Sequence, residues 1–438
     1  MRGSVKEHPI GSVGEGILAN SPDVGEFVAM IRRNIESALA LALSDTPVVL
    51  INGARQTGKS TLVQAWATQA NAQYLTLDDA ATLSLAASDP SGFVRNVQKP
   101  IVIDEIQKAP ELFPAIKLAV DRDRRPGQFL LTGSSNILTL PRLSESLAGR
   151  MEVLPLHPLS AGELLEQVEG FIPRLFEGVP GSWKPRMDPE PIVQRLVRGG
   201  YPEAVQRSDA ARRDAWFGSY VSTLLQRDVR DLARVEGLHA LPNLLKLIAA
   251  RGSGLLNMSD VGRDAGLPHS TLMRYLSLLE SVFLVHRVPA WSHNLGQRLV
   301  KAPKIHILDP GLALHLLGAD DARLTSDRML LGRMLESFVV GEIRKQISWG
   351  SPGTSLHHYR TSAGSEVDIL LEDRKGALCG IEVKASASVG ASDFTALKTL
   401  KEQFPDRFRA GVILYLGDQV LPFGDGLWLL PVQSLWMD

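Results

Sequence analysis

Gly53-Ala54-Arg55-Gln56-Thr57-Gly58-Lys59-Ser60 fits the spacing G-x-x-x-x-G-K-[ST], and that spacing serves one chemistry, the cradling of a polyphosphate. Glycines at both ends let successive backbone N–H groups turn toward phosphate oxygens. A helix opening near Ser60 and Thr61 adds its positive end. Lys59 is expected to reach the β- and γ-phosphates of ATP, and Ser60 to offer its hydroxyl to Mg²⁺. Downstream, the apolar run Pro100-Ile-Val-Ile closes on two carboxylates, Asp104 and Glu105. Asp104 suits the Mg²⁺ shell, and Glu105 suits polarisation of the attacking water. The run FLLTGSSN ends in polar side chains, of which Ser135 or Asn136 either orients that water or caps the following helix. Arg150, in SLAGR, either reaches the phosphates of a neighbouring subunit or is a surface arginine.

A second set of reactive side chains lies in the last third. Glu336 sits in the helical stretch GRMLESFVVGEI, Asp368 in EVDILLE, and Glu382 and Lys384 in GIEVK. Asp373-Arg-Lys-Gly between the last two reads as a hairpin turn, which makes their strands adjacent. Alternation then sets Glu382 and Lys384 on one face. Three carboxylates around a hard cation favour Mg²⁺ or Mn²⁺ over zinc, with the lysine positioning a water. The same residues can instead close into a metal-free cluster, or be the exposed charges of an ordinary hairpin.

Net charge is −1, from 47 basic and 48 acidic residues, but it is unevenly spread. Residues 206–304 carry 14 basic and 8 acidic side chains, a balance of +6, whereas 305–438 carry 13 and 17. The middle is thus the part suited to a polyanion, nucleic acid and in the first instance DNA. Within it, SDVGRDAGLPHSTLMRYLSLLESVFLVHRV reads as two helices and a short strand, a winged helix-turn-helix. In such a fold Ser270, Arg274 and His269 face a DNA groove, and Arg287 on the wing lies near phosphate. Winged helices also serve as lids and protein-binding modules.

These residues need elements to hold them. VVLIN (48–52), YLTLD (74–78), IVID (101–104) and FLLTG (129–133) are short apolar runs alternating with helical segments, the pattern of an α/β doubly wound parallel sheet. Phe27, Met30, Ile31, Ile35 and Leu39 predict a helix from Phe27 to Leu43, with Arg32 and Arg33 on its opposite face. The expected organisation is an N-terminal arm (1–25), a P-loop domain (26–165), a helical lid (166–235), the winged helix (236–305) and an α/β C-terminal domain (306–438). One cysteine, Cys379, excludes a disulfide scaffold and a cysteine-built metal centre. A 44% hydrophobic, 22% charged composition with mean hydropathy +0.01 is that of a folded globular chain. No apolar run of membrane-spanning length or secretory leader is visible, so a cytoplasmic protein that avoids membranes is expected.

The order of phosphate loop, DE strand, polar strand and GR resembles that of the AAA-plus ATPases. More closely, GARQTGKSTL, YLTLDD, IVIDEIQKAPELF, LTGSSN and LAGRMEVLPLHPLSAGEL are similar to a prokaryotic group that joins such an ATPase to a C-terminal domain of unknown function. The resemblance covers roughly residues 25–430. It implies Mg²⁺-dependent ATP hydrolysis and assembly into a homo-oligomer, a hexameric ring being the family default. Arg198-Gly-Gly-Tyr201-Pro202 is similar to the Gly-x-Pro element that lies against adenine, with Tyr201 and Pro202 on the base and Arg198 near phosphate, or it is simply a tight turn. Glu336, Asp368, Glu382 and Lys384 resemble the core of the PD-(D/E)XK nucleases, active with a second Mg²⁺ or Mn²⁺, or inactive and used for binding. The leading expectation is an ATPase that remodels or processes DNA. The alternative is a nucleotide-controlled binding switch, regulator- or antitoxin-like, with slow turnover and no nuclease.

Overall fold

β1 (Val48–Asn52), β2 (Gln73–Thr76), β3 (Ile101–Asp104), β4 (Phe129–Gly133) and β5 (Met151–Pro155) build one parallel sheet in the order β2-β3-β4-β1-β5. Every residue of β1, β3 and β4 is buried, as it must be when helices cover both faces of a sheet. In β1, Val48 and Leu50 enter one apolar core while Val49 and Ile51 enter the other. The computed structural model describes residues 31–134, 147–179, 183, 186–229, 240–294, 298, 301–361 and 364–437. The expected arm (1–25), Phe27, Met30, Ser135 and Asn136 lie outside them.

The first helix is shorter than its apolar spacing predicts. It runs Glu36–Asp45, and residues 31–35 are not helical. The Glu36 carboxylate accepts from the Arg33 backbone N–H (3.0 Å), which closes the helix start. The Arg33 side chain turns into the interior and is only 6% exposed, where a solvent-facing position was expected. Arg32 does face solvent.

Beyond the sheet, helices Ile192–Arg198, Ala210–Thr223, Leu241–Ala250, Met258–Ala265 and His269–Ser281 follow in turn. β6 (Val285–Val288) and β7 (Lys304–Ile307) then form a two-stranded antiparallel ribbon. Helices Pro310–Leu317 and Asp321–Ser326 fold back onto Ile192–Arg198. The 23-residue helix Arg328–Gly350 leads into a second sheet, made of β8 (Ser355–Arg360), β9 (Glu366–Glu372), β10 (Leu378–Lys384), β11 (Phe408–Tyr415), β12 (Leu421–Pro422) and β13 (Leu427–Pro431). Its order is β12-β13-β11-β10-β9-β8. The β8-β9-β10 side is antiparallel, and β10-β11-β13 is parallel, with helix Thr395–Gln403 crossing between β10 and β11. The ribbon meets this sheet directly, since Trp291 N–H donates to the His358 carbonyl (2.7 Å) and His358 N–H to the Pro289 carbonyl (3.0 Å).

Candidate functional site

The phosphate loop leaves the end of β1 and enters helix Lys59–Gln69. A Cβ at Gly53 would lie 2.1 Å from the Leu156 carbonyl oxygen, so no side chain fits there. Gly58 takes φ +90° at the helix start, a left-handed conformation that other residues adopt only with strain. Thr57 Oγ1 donates to the Ala54 carbonyl (2.9 Å). The Lys59 ammonium, nearly buried, donates to the carbonyls of Gly53 (3.0 Å) and Ala54 (2.7 Å). Gln56 and Thr61 are exposed, and Arg55 and Ser60 are half-buried. Sequence reasoning missed the loop's principal brace, Arg33. Its guanidinium donates to the Thr57 carbonyl (2.7 Å), the His157 carbonyl (2.8 Å) and Glu163 (3.0 Å).

Asp104 and Glu105 lie at the carboxyl end of β3, the edge from which the phosphate loop also departs, and β4 separates the two strands. Asp104 accepts from the Tyr74 hydroxyl (2.8 Å) and from Thr132 Oγ1. Burial and the Asp104 contact push the Tyr74 hydroxyl up to about 12. Glu105 N–H donates to Thr132 Oγ1 (2.9 Å), and its carboxylate accepts from Ser134 Oγ (3.0 Å) and from the Gln107 amide. Glu105 itself has φ +60°, a conformation that persists in a non-glycine residue only where neighbours impose it. Thr132, Ser134 and Gln107 supply that constraint. All three sit inside the quoted motifs FLLTGSSN and IVIDEIQ, yet sequence spacing favoured the next two positions, Ser135 and Asn136. The donors present fit a nucleotide: a glycine-lined loop, a buried ammonium and a fixed carboxylate pair.

Arg150 lies elsewhere. β5 runs parallel to β1 with Met151 opposite Val48, so Arg150 is at the end of β1 remote from the loop. Four residues of strand put about 13 Å between those ends. Its guanidinium meets Asp121 (2.5 Å) and the Ala148 carbonyl (3.0 Å). Tyr201 is fully buried and ringed by Trp216, Phe217 and Tyr220, with centroids 5.6, 6.4 and 5.0 Å away, so it presents no face to a base. It supports the loop indirectly: the Tyr220 hydroxyl is 3.2 Å from both the Tyr201 hydroxyl and the Arg55 carbonyl. Pro202 begins a one-turn helix, and Arg198 donates to Glu190 (2.8 Å) rather than pointing free.

Of the four C-terminal residues expected together, Glu336, Asp368 and Glu382 lie close, Lys384 turns outward, and Lys304 and Glu366 join the group. Glu336 and Asp368 converge, but the cation between them is Lys304 from β7. Its ammonium lies 2.8 Å from Glu336, 2.6 Å from Glu366 and 3.2 Å from Asp368, and the side chain is only 4% exposed. Asp368 also accepts from the Val383 N–H (3.0 Å). Glu382 is buried with Oε1 unpartnered, while Lys384 turns outward, 3.7 Å from Glu382 and 3.6 Å from Asp393. Burial, then the Asp368 charge, push the Glu336 carboxyl up to about 8 and that of Glu382 up to about 9. Burial works against the Lys304 charge, yet Glu336, Asp368 and Glu366 outweigh it and hold its pKa above the usual lysine range. Among the described residues no three histidine, cysteine or carboxylate side chains are placed to hold a metal ion. The set does not fit a divalent cation while Lys304 occupies its centre.

The same helix links the two halves. Glu342 accepts from the Ala161 N–H (2.9 Å), and Lys345 donates to the Leu159 carbonyl (2.9 Å) and to Glu342 (2.6 Å). In the middle unit, helix His269–Ser281 buries Leu272, Tyr275, Leu276 and Leu279 and exposes His269, Ser270, Met273, Arg274 and Ser277. Arg287 is held in a bidentate pair with Glu280 (2.6 Å for each bond). No described helix is long and apolar enough to cross a membrane.

Three family models each match a part of the chain. Residues 45–165 match the family model for an AAA domain, 190–323 a domain of unknown function (DUF8612), and 331–435 a second one (DUF4143). An uncharacterized protein of Mycobacterium tuberculosis is 28% identical over 406 residues, covering 92% of this chain and 84% of its own. One from Haemophilus influenzae is 24% identical over 323 residues, 67% and 75% of the two chains. Among solved structures, a Walker-type ATPase of Pyrococcus abyssi aligns with TM-score 0.41 at 16% identity, over 64% of this chain and 93% of that one. The RuvB Holliday junction branch migration motor of Thermotoga maritima aligns with TM-score 0.30 at 20% identity, over 58% and 89%. Residues 45–165 are an AAA-plus-type P-loop ATPase domain, and through it the chain is an ATPase.

Proposed function

We propose that this ATPase uses Mg²⁺-dependent ATP hydrolysis to remodel DNA, and that its C-terminal module, nuclease-like in fold, binds rather than cuts. Lys59 and the loop amides bind the phosphates, Ser60 and Asp104 hold Mg²⁺, and that ion supplies charge neutralisation for phosphoryl transfer. Glu105, fixed by Ser134 and Gln107, accepts a proton from the attacking water and aims it. Arg150 serves a neighbouring subunit, because its place at the far end of β1 removes it from its own phosphates. That role requires a closed homo-oligomer, a hexameric ring in the simplest case.

The observation that carries the non-cutting reading is the Lys304 ammonium among Glu336, Glu366 and Asp368. The order helix, strand Asp368, strand Glu382-x-Lys384, helix, strand supports the PD-(D/E)XK resemblance. Its cation position is filled from within, however, and Lys384 points to Asp393. The helices from Leu241 to Ser281 with ribbon β6-β7 support a winged helix, whose exposed face at Ser270 and Arg274 meets DNA. Arg287 is held by Glu280, so a contribution near phosphate requires that pair to open. The test is fluorescence anisotropy of DNA binding against salt. Arg274→Ala should weaken binding and reduce the salt slope by about one unit for one lost phosphate contact. Unchanged binding to single-stranded, duplex and branched DNA would move DNA off this face.

A further inference from the structure

Helix Arg328–Gly350 carries one arginine that neither the ATP site nor the acid cluster uses. Arg344 makes no hydrogen bond or ion pair with any described residue, and burial pushes its pKa down to about 10 against only a distant pull from Glu280. Other interior arginines are paired: Arg33 with Glu163, Arg195 with Asp188, and Arg298 and Arg407 with Glu372. Arg344 is half-buried, and a guanidinium partly withdrawn from water with no partner points to one that the chain does not itself supply.

Arg344 opens onto a cavity of about 290 Å³. Its polar lining is Arg344, Arg287, His157, Ser348 and Thr354, and no carboxylate lines it. Glu280 compensates Arg287, which leaves Arg344 as the net positive charge. His157 stays neutral, because burial and the nearby Arg344, Lys345 and Arg33 depress its pKa. The walls come from four parts of the chain: Pro155 and His157 at the end of β5, Arg287 and Pro289 at β6, Thr354 and Leu356 at β8, and Arg344 and Ser348 of helix Arg328–Gly350.

We propose that this cavity is a second oxyanion site, separate from the phosphate loop, in which Arg344 and Arg287 take a phosphate group. The planar Arg344 fork matches two oxygens of such a group, Arg287 offers the Nη1 that its pair with Glu280 leaves over, and hydroxyls at Ser348 and Thr354 can complete the shell. An occupant touches the ATPase sheet, the ribbon and the C-terminal sheet together. The phosphate is either a free anion or the backbone of a nucleic acid, and the second source rests on the DNA reading above.

The test uses the full chain with its phosphate loop saturated by a non-hydrolysable ATP analogue and Mg²⁺. Inorganic phosphate is titrated by calorimetry and a labelled oligothymidylate by anisotropy, with the parent, Arg344→Lys and Arg344→Met. Phosphate affinity should fall about tenfold or more in Arg344→Met, the loss of one charge-assisted contact, and partly survive in Arg344→Lys. The ligand-free Arg344→Met protein should unfold at a slightly higher urea concentration than the parent, because a half-buried charge without a partner has been removed. A packing role would give the opposite shift. A parallel loss of oligothymidylate affinity assigns the site to a nucleic-acid backbone, and loss for phosphate alone assigns it to a free anion. Equal binding of both probes by parent and Arg344→Met, or no phosphate binding by the parent, overturns the site.

Discussion

Replacing Lys304 by Met keeps the length of the side chain and removes the one cation that joins Glu336, Glu366 and Asp368. The ammonium is almost wholly buried, and the three carboxylates are 15%, 30% and 17% exposed. Breaking a buried ion pair from one side costs about 3–5 kcal/mol, because a charge is left without compensation. Glu366 retains access to water, so the lower end, about 3 kcal/mol, is expected. The loss should depend on pH. The Glu336 and Glu382 carboxyls, raised to about 8 and about 9, can take protons in the folded state and so relieve the repulsion at low pH. Urea denaturation of Lys304→Met should therefore show a modest deficit at pH 6 and a larger one at pH 9. Tryptophan fluorescence follows it, since Trp291 and Trp436 are buried in this part of the chain. A variant with the parental midpoint at pH 9 would refute the cluster as a charge-compensated lock.

Three further outcomes are expected. Glu105→Gln should keep ATP affinity and lose about 10²–10⁴-fold in turnover, the usual weight of a general base, and hydrolysis at the parental rate would reassign the water-polarising role. Arg150→Ala should slow hydrolysis with little change in ATP affinity, and mixing it with Glu105→Gln subunits should restore some activity; light scattering that shows a monomer in the presence of ATP would sink the role in trans. Stability of the parent should peak near pH 5–6. The folded-state pKa values of Glu169, Glu336 and Glu382 are raised, to about 8, 8 and 9, so their contribution is full below the ordinary carboxylate value and lost as pH rises toward 8–9. His306 and His358, depressed by burial to about 3 and about 4, cost stability as pH falls below 6.5. A stability maximum at pH 8 or above contradicts these assignments.

The loop and the carboxylate pair of the candidate site were legible as structure because their spacing is local. Backbone spacing from Gly53 to Ser60 fixes the loop, and an apolar strand ending in Asp104-Glu105 fixes the carboxylates. Two central strands of the C-terminal sheet, β9 and β10, were legible too, in EVDILLE and GIEVK, whereas β12 and β13 were not. β5 was not, because MEVLP is only half-buried and gives no strong pattern. Arg33 and Lys304 escaped for a shared reason. In Lys304-Ile-His-Ile the polar residues alternate with isoleucines, which reads as an outward face, but helix Arg328–Gly350 meets both at Glu336 and Ser337, β9 adds Glu366 and Asp368, and Lys304 and His306 are buried. Arg33 likewise looked solvent-facing until β5 and the residues after it supplied the His157 carbonyl and Glu163. Tyr201 shows the reverse error: a motif that suggests a base platform is closed over by Trp216, Phe217 and Tyr220, which lie on a later helix. Contacts made between distant segments leave no trace in local spacing.

If this ATPase remodels DNA, its ATP turnover must be coupled to DNA. Steady-state ATP hydrolysis by the parent, with Glu105→Gln as the blank, should be measured without DNA and with single-stranded, duplex and branched DNA. Severalfold stimulation by at least one of these forms is expected, abolished in Glu105→Gln. A rate indifferent to all three, with Glu105→Gln still inactive, would leave the ATPase intact and contradict DNA as its substrate.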